Sequence, residues 1–403
     1  MIIVYSYVKI HLEVSHLAKN TEVKEKNRGA ILSLLYKKKQ LSKKTIAQEL
    51  HLSAAVISKI CGELAEDDLI KDNHQVITHK VGRRELLISV NTEDWFCLGI
   101  TIDQTGSTIV LSDLHFNCIQ SVNIKKQENG NNHIQTIISE IETILTADYV
   151  PKKRILGIGI SVRGLTDGKS SIYGIWKNAI AIKEPIEEAI NLPVIIDNGI
   201  RCSSLYESLT SNLENFIFFK YMKPGIGATF LKDGIPYHGE SNLSMEIGHV
   251  IIDPQGKYCP FCHRKGCLES MISIDTILSE ARDNFSQKWS KELYALCHGN
   301  KKEITLEKLI QSAEQGSIQI NTILNRCARY FALAVINTYA IVDINKIIIV
   351  GDLFESERFK EYFRSAIHEF QLTPFYDKIE LRPTKDIKLS PVALAISSFL
   401  PKV

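Results

Sequence analysis

Glu246-Ile247-Gly248-His249, then nine residues, then Cys259-Pro-Phe-Cys262-His-Arg-Lys-Gly-Cys267-Leu-Glu269: this stretch decides the reading of the chain. His249, Cys259, Cys262 and Cys267 form a Cys₃His set, the donor chemistry of a closed tetrahedral structural zinc site. His263 competes as fourth ligand, although its place directly after Cys262 makes the geometry awkward. Gly266 allows the tight turn that brings the last cysteine back to the metal. Three reduced cysteines in a plain loop are the alternative, and the third cysteine with its upstream histidine weighs against it. Structural Zn²⁺ in small motifs carries an apparent binding free energy of about 10–16 kcal/mol. Losing it should disorder the loop and whatever the loop positions.

Around this loop the texture is that of an α/β protein. Strand-like apolar runs occur at Phe96–Ile102, Ile155–Val162, Leu192–Ile196, Phe216–Tyr221, Val250–Ile252 and Ile347–Val350, with helical spacing at Ile134–Leu145 and Ile318–Val342. The regions opening near Cys97 and Ile155 are each expected to start a similar α/β half. Trp95, Trp176 and Trp289 read as core or interface residues. Cys61, Cys97, Cys118, Cys202, Cys297 and Cys327 read as small buried hydrophobes.

Residues 1 to 90 differ from this body. Lys26, Arg28, Lys37, Lys38, Lys39, Lys43 and Lys44 fall between Lys26 and Thr45 with no acidic residue among them, a local charge of +7. Ile31, Leu34 and Leu35 keep a helical spacing. Ser42 suits an N-cap for a second helix over Lys43–Leu50, and Ser53 for a third with Val56, Ile57, Ile60 and Leu64 inside. Leu69–Lys71 and Arg84–Val90 then read as two strands linked through Val81-Gly82-Arg83-Arg84. That order of elements is a winged helix-turn-helix. Ser53, Ser58 and Lys59 are the expected contacts on the recognition helix, with Lys43 and Lys44 on phosphates and Arg83 and Arg84 from the wing. The acidic run Glu66-Asp67-Asp68 has to face away from DNA. Residues 1 to 26 suggest an extra helix or an arm.

Composition narrows the class. The chain has 403 residues, room for two or three domains, with 44% hydrophobic and 23% charged residues. Forty-eight Lys and Arg against 46 Asp and Glu give a net charge of +2, so the basic segment is offset elsewhere. Nine scattered cysteines, an odd count, fit a reducing cytoplasm better than a disulfide scaffold. The opening run Met1–Val8 lacks the flanks of a signal peptide, and Tyr330–Val342 is too short to span a bilayer and fits a buried core helix.

The Glu-x-Gly-His…Cys…Cys-x4-Cys-x-Glu pattern resembles the ROK family of bacterial sugar kinases and sugar-responsive repressors. Gly82-Arg83 in the wing and Asp233 to His249 with Asp253-Pro-Gln-Gly resemble its repressor branch, which includes the N-acetylglucosamine and Mlc-type glucose repressors. The likeness runs from about Asn27 onward; two residues rather than one separate the first two cysteines. It implies an actin-like (ribonuclease H-like), two-lobed domain with a sugar between lobes. Residues 1–90 would be the reading head, 91–198 with about 388–403 one lobe, and 199–387 the other, carrying the zinc loop and dimer contacts. The sugar ligands implied are Asn198, Glu246, His249 and Glu269.

The same resemblance argues against a working kinase. Gly199 stands where the family's catalytic Asp follows the Asn, and the adjacent Asp197 would point elsewhere. Thr101-Ile-Asp103-Gln104-Thr105 replaces the Asp-x-Gly-Gly-Thr phosphate loop, and Gly351-Asp352 replaces Gly-Gly, while Gly225-Ile-Gly227 survives. Arg163 replaces a loop proline and could meet a ligand phosphate. The expectation is a homodimeric (or dimer-of-dimers) repressor on operator DNA, released by a sugar or sugar phosphate. Alternatives are an active hexose kinase, sequestration by a phosphotransferase-system transporter subunit, or activation at some promoters.

Overall fold

The computed structural model describes residues 22–77, 85–146, 150–223, 225–370, 376–383 and 387–403. They form two compact units, one comprising the described residues up to Asn212 together with Lys388–Val403, the other Leu213–Ile387.

Helix α1 (22–38) buries Ile31, Leu32, Leu35 and Tyr36, an i, i+1, i+4, i+5 stripe. After strand β1 (Leu41–Ser42), the Ser42 hydroxyl accepts the Thr45 N–H at 3.1 Å and starts helix α2 (Lys43–Glu49). Ser53 accepts from Val56 N–H at 3.3 Å and starts α3 (Ala54–Glu66), whose inner face is Ile57, Ile60, Cys61 and Leu64. Strands β2 (Ile70–Ile77) and β3 (Glu85–Val90) pair antiparallel, and β1 adds to the other edge of β3. This is the expected winged helix-turn-helix. Arg83 and Arg84 lie outside the described residues.

The chain then builds an antiparallel meander, β4 (Phe96–Ile102), β5 (Gly106–Asp113) and β6 (Cys118–Lys125). Helix α4 (Gly130–Thr146) leads to β7 (Ile155–Val162), which pairs parallel with β4. A short ribbon of β8 (Leu165–Thr166), β9 (Ser170–Tyr173) and β10 (Ile180–Ala181) precedes α5 (Lys183–Ile190). Strand β11 (Val194–Asn198), parallel to β7, feeds α6 (Gly199–Ser211). The sheet order is β11-β7-β4-β5-β6. Every residue of β7 is buried, as its near-unbroken apolar run requires of a strand covered on both faces.

The second unit repeats the plan. Strands β12 (Phe216–Met222), β13 (Gly225–Lys232) and β14 (Ile235–Pro236) form a meander. Helices α7 (Leu268–Ile272), α8 (Ile274–Asp283), α9 (Lys291–Leu296), α10 (Leu306–Glu314) and α11 (Ile318–Val342) follow. Strand β15 (Ile347–Gly351) pairs parallel with β12; after α12 (Glu357–Phe370), β16 (Ile379–Arg382) pairs parallel with β15. The order is β14-β13-β12-β15-β16. Tyr221, Phe331, Phe354, Phe359 and Phe363 stack edge-on and tilted in its core. The last helix, α13 (Ser390–Phe399), belongs to the first unit and lies on β4 and β7. Glycines make that approach possible: a Cβ on Gly159 would sit 2.0 Å from Pro391 O.

Four expectations are corrected. The regions near Cys97 and Ile155 do not open separate halves, because β4 and β7 are parallel neighbours in one sheet and the second half opens at Phe216. The meander and α4 supply the long crossover that parallel neighbours need. Val250–Ile252 is not a strand; Val250 and Ile251 are exposed, and only an isolated bridge joins Ile251 to Cys267. Cys118 is exposed on edge strand β6. The end of α11 is amphipathic rather than buried, with Ile341 85% exposed. Trp95 and Trp176 are buried. Among the described residues no helix is long and apolar enough to cross a membrane.

Candidate functional site

The donor atoms of His249, Cys259, Cys262 and Cys267 lie within 4.8 Å of one another. Zn–S bonds of about 2.3 Å imply tetrahedral edges of about 3.8 Å, so shifts of about 1 Å would bring the four atoms onto one ion. Cys259 Sγ is 3.8 Å from His249 Nδ1, and Cys262 Sγ is 2.9 Å from Cys267 Sγ. Burial opposes ionising Cys262, but hydrogen bonds from Cys267 and Arg264 outweigh it and bring its thiol down to about 6. The backbone closes the loop: Cys259 N–H bonds Arg264 O, Gly266 N–H bonds Lys257 O, and Ile252 N–H bonds Gly266 O, each at 2.8 Å. Gly266 has φ 73°, and a Cβ there would lie 1.5 Å from Asp253 O, so only glycine fits. His263 is not brought to the cluster; its Nδ1 meets Tyr258 Oη at 2.7 Å.

Two carboxylates flank the loop. Glu246 is exposed and precedes a 3₁₀ turn over Ile247–His249; Met245 before it is held at φ 62°, a left-handed conformation uncommon for so bulky a residue. Glu269 lies in the first turn of α7, two residues after Cys267. Its Oε2 accepts the Ile226 N–H at 3.1 Å and sits where a Cβ on Gly225 would reach it at 2.6 Å and one on Gly248 at 3.0 Å. The surviving glycine of the Gly225-Ile-Gly227 pair is therefore part of the Glu269 cradle. Sequence reading did not foresee that use.

In the first unit, Asn198 caps α6: its Oδ1 accepts from Ile200 N–H at 2.8 Å and its Nδ2 donates to Gly164 O at 2.7 Å. A second lone pair and a second amide hydrogen remain for a ligand. Asp197 is buried and accepts from Arg201 Nε at 2.6 Å and from Asn198 N–H at 2.7 Å. Gly199 opens α6. Asp103 turns back on its own loop, its Oδ1 accepting from Thr105 N–H and Oγ1 at 2.6 Å each and from Gly106 N–H at 3.2 Å. In the second unit Asp352 Oδ2 accepts from Lys223 N–H at 3.3 Å, and burial raises its pKa.

On the reading head, Ser53, Ser58 and Lys59 of the recognition-helix region are exposed, as are Lys43 and Lys44. Lys43, Lys44, Gln48, Leu52, Ala54 and Ser58 line a shallow groove of about 290 Å³ between α2 and α3. Of the acidic run, Asp67 pairs with Arg28 of α1 and Asp68 with Arg154, just before β7, at 2.6 Å.

These features define a winged-helix DNA-binding module joined to two α/β units of one repeated, actin-like plan, the second bearing a Cys₃His cluster able to hold a metal. The chain belongs to the ROK family: the family's model matches residues 97–388, and a winged helix-turn-helix DNA-binding model matches residues 24–71. It is similar to the xylose repressor of Caldicellulosiruptor bescii, 27% identical over 95% of this chain and 98% of that protein. It is also similar to the DNA-binding transcriptional repressor Mlc of Escherichia coli K12, 27% identical over 75% of each chain. Among solved structures, a ROK family transcriptional regulator described as a homologue of Escherichia coli Mlc matches with a TM-score of 0.79 at 24% identity, over 94% of this chain and 97% of that one. A ROK glucokinase from Streptomyces griseus, solved with glucose and AMPPNP, matches with a TM-score of 0.61 at 16% identity over 75% and 98%. At these identities the solved structures speak for the fold.

Proposed function

We propose that the chain is a sugar-responsive, DNA-binding transcriptional repressor of carbohydrate uptake or metabolism genes. The observation that carries this is the reading head, with Ser53, Ser58 and Lys59 exposed at the recognition helix and Lys43 and Lys44 exposed beside it, on a ROK body. Side chains at these positions can take base edges and phosphates, and the wing arginines Arg83 and Arg84 would add further contacts. A homodimer would place two heads on a palindromic operator. Residues 1–90 serve as the reading head, 91–198 with 388–403 as one lobe, and 199–387 as the other.

Glu246, His249, Glu269 and Asn198 are the proposed ligands of the sugar hydroxyls. Carboxylates accept from hydroxyls, and the amide both donates and accepts. His249, Cys259, Cys262 and Cys267 would hold Zn²⁺ in a structural role. With His249 bound through Nδ1, its Nε2 is left for the sugar and its orientation is fixed.

Sugar phosphorylation is proposed to be lost. A transferring enzyme needs a base beside the hydroxyl, and Gly199 has no side chain while Asp197 is tied to Arg201. Asp103 already occupies the loop amides that a phosphate would need. Asp352 brings a second carboxylate to the corresponding loop of the other unit.

The test uses purified full-length protein, a labelled fragment of its own promoter, and D-glucose, D-xylose, N-acetylglucosamine and their phosphates. Specific binding should be released by one of these compounds, which requires that the compound favour the DNA-incompetent state. Glu246→Ala should keep DNA binding and lose release. Absence of specific promoter binding, or ATP-dependent phosphorylation of a sugar, would overturn the reading.

A further inference from the structure

Helix α3 ends in a Schellman turn, with Asp68 N–H bonded to Ala65 O at 3.1 Å and Leu69 N–H to Leu64 O at 2.9 Å. The residue that must turn left-handed there is usually glycine. Here it is Asp68, at φ 57°, and it carries a steric burden that glycine avoids. Its surroundings account for the choice. Asp68 Oδ2 accepts from Arg154 Nη2 at 2.6 Å, and the Arg154 guanidinium lies over the Trp95 ring, 5.3 Å from its centroid. The Asp68 carbonyl accepts from Trp95 Nε1 and from Asn91 Nδ2, both at 3.0 Å.

Trp95 and Arg154 directly precede β4 and β7, the two parallel central strands of the first sheet. The neighbouring Asp67 pairs with Arg28, whose Nε donates to Val403 O at 2.7 Å, just beyond α13. Below these contacts Ile57, Ile60 and Leu64 of α3 share one apolar cluster with Val392, Ile396 and Phe399 of α13. Exposed ion pairs contribute little to stability one by one. Their geometry here does something else: it fixes direction.

We propose that Arg154, Asp68 and Trp95 are positioning residues that lock the end of the recognition helix to the first unit's sheet. The reading head then turns with that unit as a single body and does not swing on a tether. The proposal rests on the DNA-reading role of α3. It means that any displacement an effector causes in the first unit reaches the recognition helix without slack.

The experiment measures orientation in the full-length, metal-loaded protein with no sugar or DNA present, so its result is separable from that of the effector test. Spin labels carried on unnatural amino acids at Ala55 of α3 and Ser121 of β6, both exposed, give a distance distribution by pulsed electron resonance. The parent should give a single narrow distribution. Asp68→Gly keeps the turn and relieves its strain, so the melting temperature should hold or rise while the distribution broadens about two-fold or more. Arg154→Ala should broaden it likewise, and Arg154→Lys, which keeps the charge but not the planar stacking, should fall between. A broad distribution in the parent, or Asp68→Gly and Arg154→Ala distributions as narrow as the parent's, would overturn the lock.

Discussion

Glu269 occupies the space that the missing side chains of Gly225 and Gly248 leave open. Its Oε2 is pinned by the Ile226 N–H and bordered by two glycines, so an added methyl at Gly225, 2.6 Å away, must displace it. The obstacle is the end of a side chain rather than backbone, and folding should therefore survive in Gly225→Ala while ligand geometry does not. We expect sugar affinity to fall about tenfold or more, roughly 1.4 kcal/mol, in calorimetric titration with the effector. Promoter affinity should be unchanged. Gly62→Ala is the matched control, since nothing lies within 4 Å of a Cβ there and the exchange should stabilise α3 by about 0.5–1 kcal/mol. Gly199 makes a different point. The nearest atom to a Cβ at Gly199 is Ser161 Oγ at 3.3 Å, a contact that a hydroxyl can relax, so Gly199→Asp should fold. It should nonetheless stay inactive in a coupled ATP assay, because Asp103 still consumes the amides of its own loop. Sugar-dependent ADP release by that variant would mean the loop does accept nucleotide.

At the scale of elements, the loop from Tyr258 to Cys267 has little apolar packing beyond its buried cysteines. Tyr258 and Phe261 point to solvent, and the backbone closes through a few bonds around Gly266. Helix α7 has Cys267 as its N-cap residue and Glu269 in its first turn. Metal removal should therefore release residues 250–268 and fray α7, seen as faster hydrogen exchange in those peptides. Sugar response should vanish while the reading head keeps its protection. One bound zinc per chain, lost in Cys262→Ser, is the matching metal analysis; unchanged exchange on chelation would count against a structural metal. This loop also marks how far sequence reasoning reaches. The caps at Ser42 and Ser53, the bounds Ile318–Val342 and the grouping of His249 with Cys259, Cys262 and Cys267 were legible because each rests on local spacing. Val250–Ile252 misled, since Val250 and Ile251 are exposed outside any strand and only Ile252 packs against the core. The partners of Asp67 and Asp68 were beyond reach, being 39 and 86 residues away in the chain. The Glu269 cradle was hidden for the same reason: it joins β13 to α7 across 43 residues.

For the whole molecule, the net charge of +2 conceals a division of labour, because seven basic and no acidic residues fall between Lys26 and Thr45. Arg28 of that segment is paired with Asp67, while Lys43 and Lys44 are exposed beside the recognition helix, and Asp68 is engaged by Arg154. Promoter binding should thus be steeply salt-dependent despite a nearly neutral chain. Each phosphate contact contributes about −0.9 to the slope of log K against log salt on duplex DNA. That slope also counts heads. If two copies read one operator, Lys43→Ala removes two phosphate contacts per complex and should flatten the slope by about 2, while a single bound head would lose about 1. Lys43 is exposed at the start of α2 and outside the buried core, so the variant should keep its melting temperature. Anisotropy titrations from about 50 to 200 mM salt, the range over which such proteins lose orders of magnitude in affinity, make the comparison. A slope that Lys43→Ala leaves unchanged would remove Lys43 from the DNA face, and a change near 1 would argue against the paired arrangement.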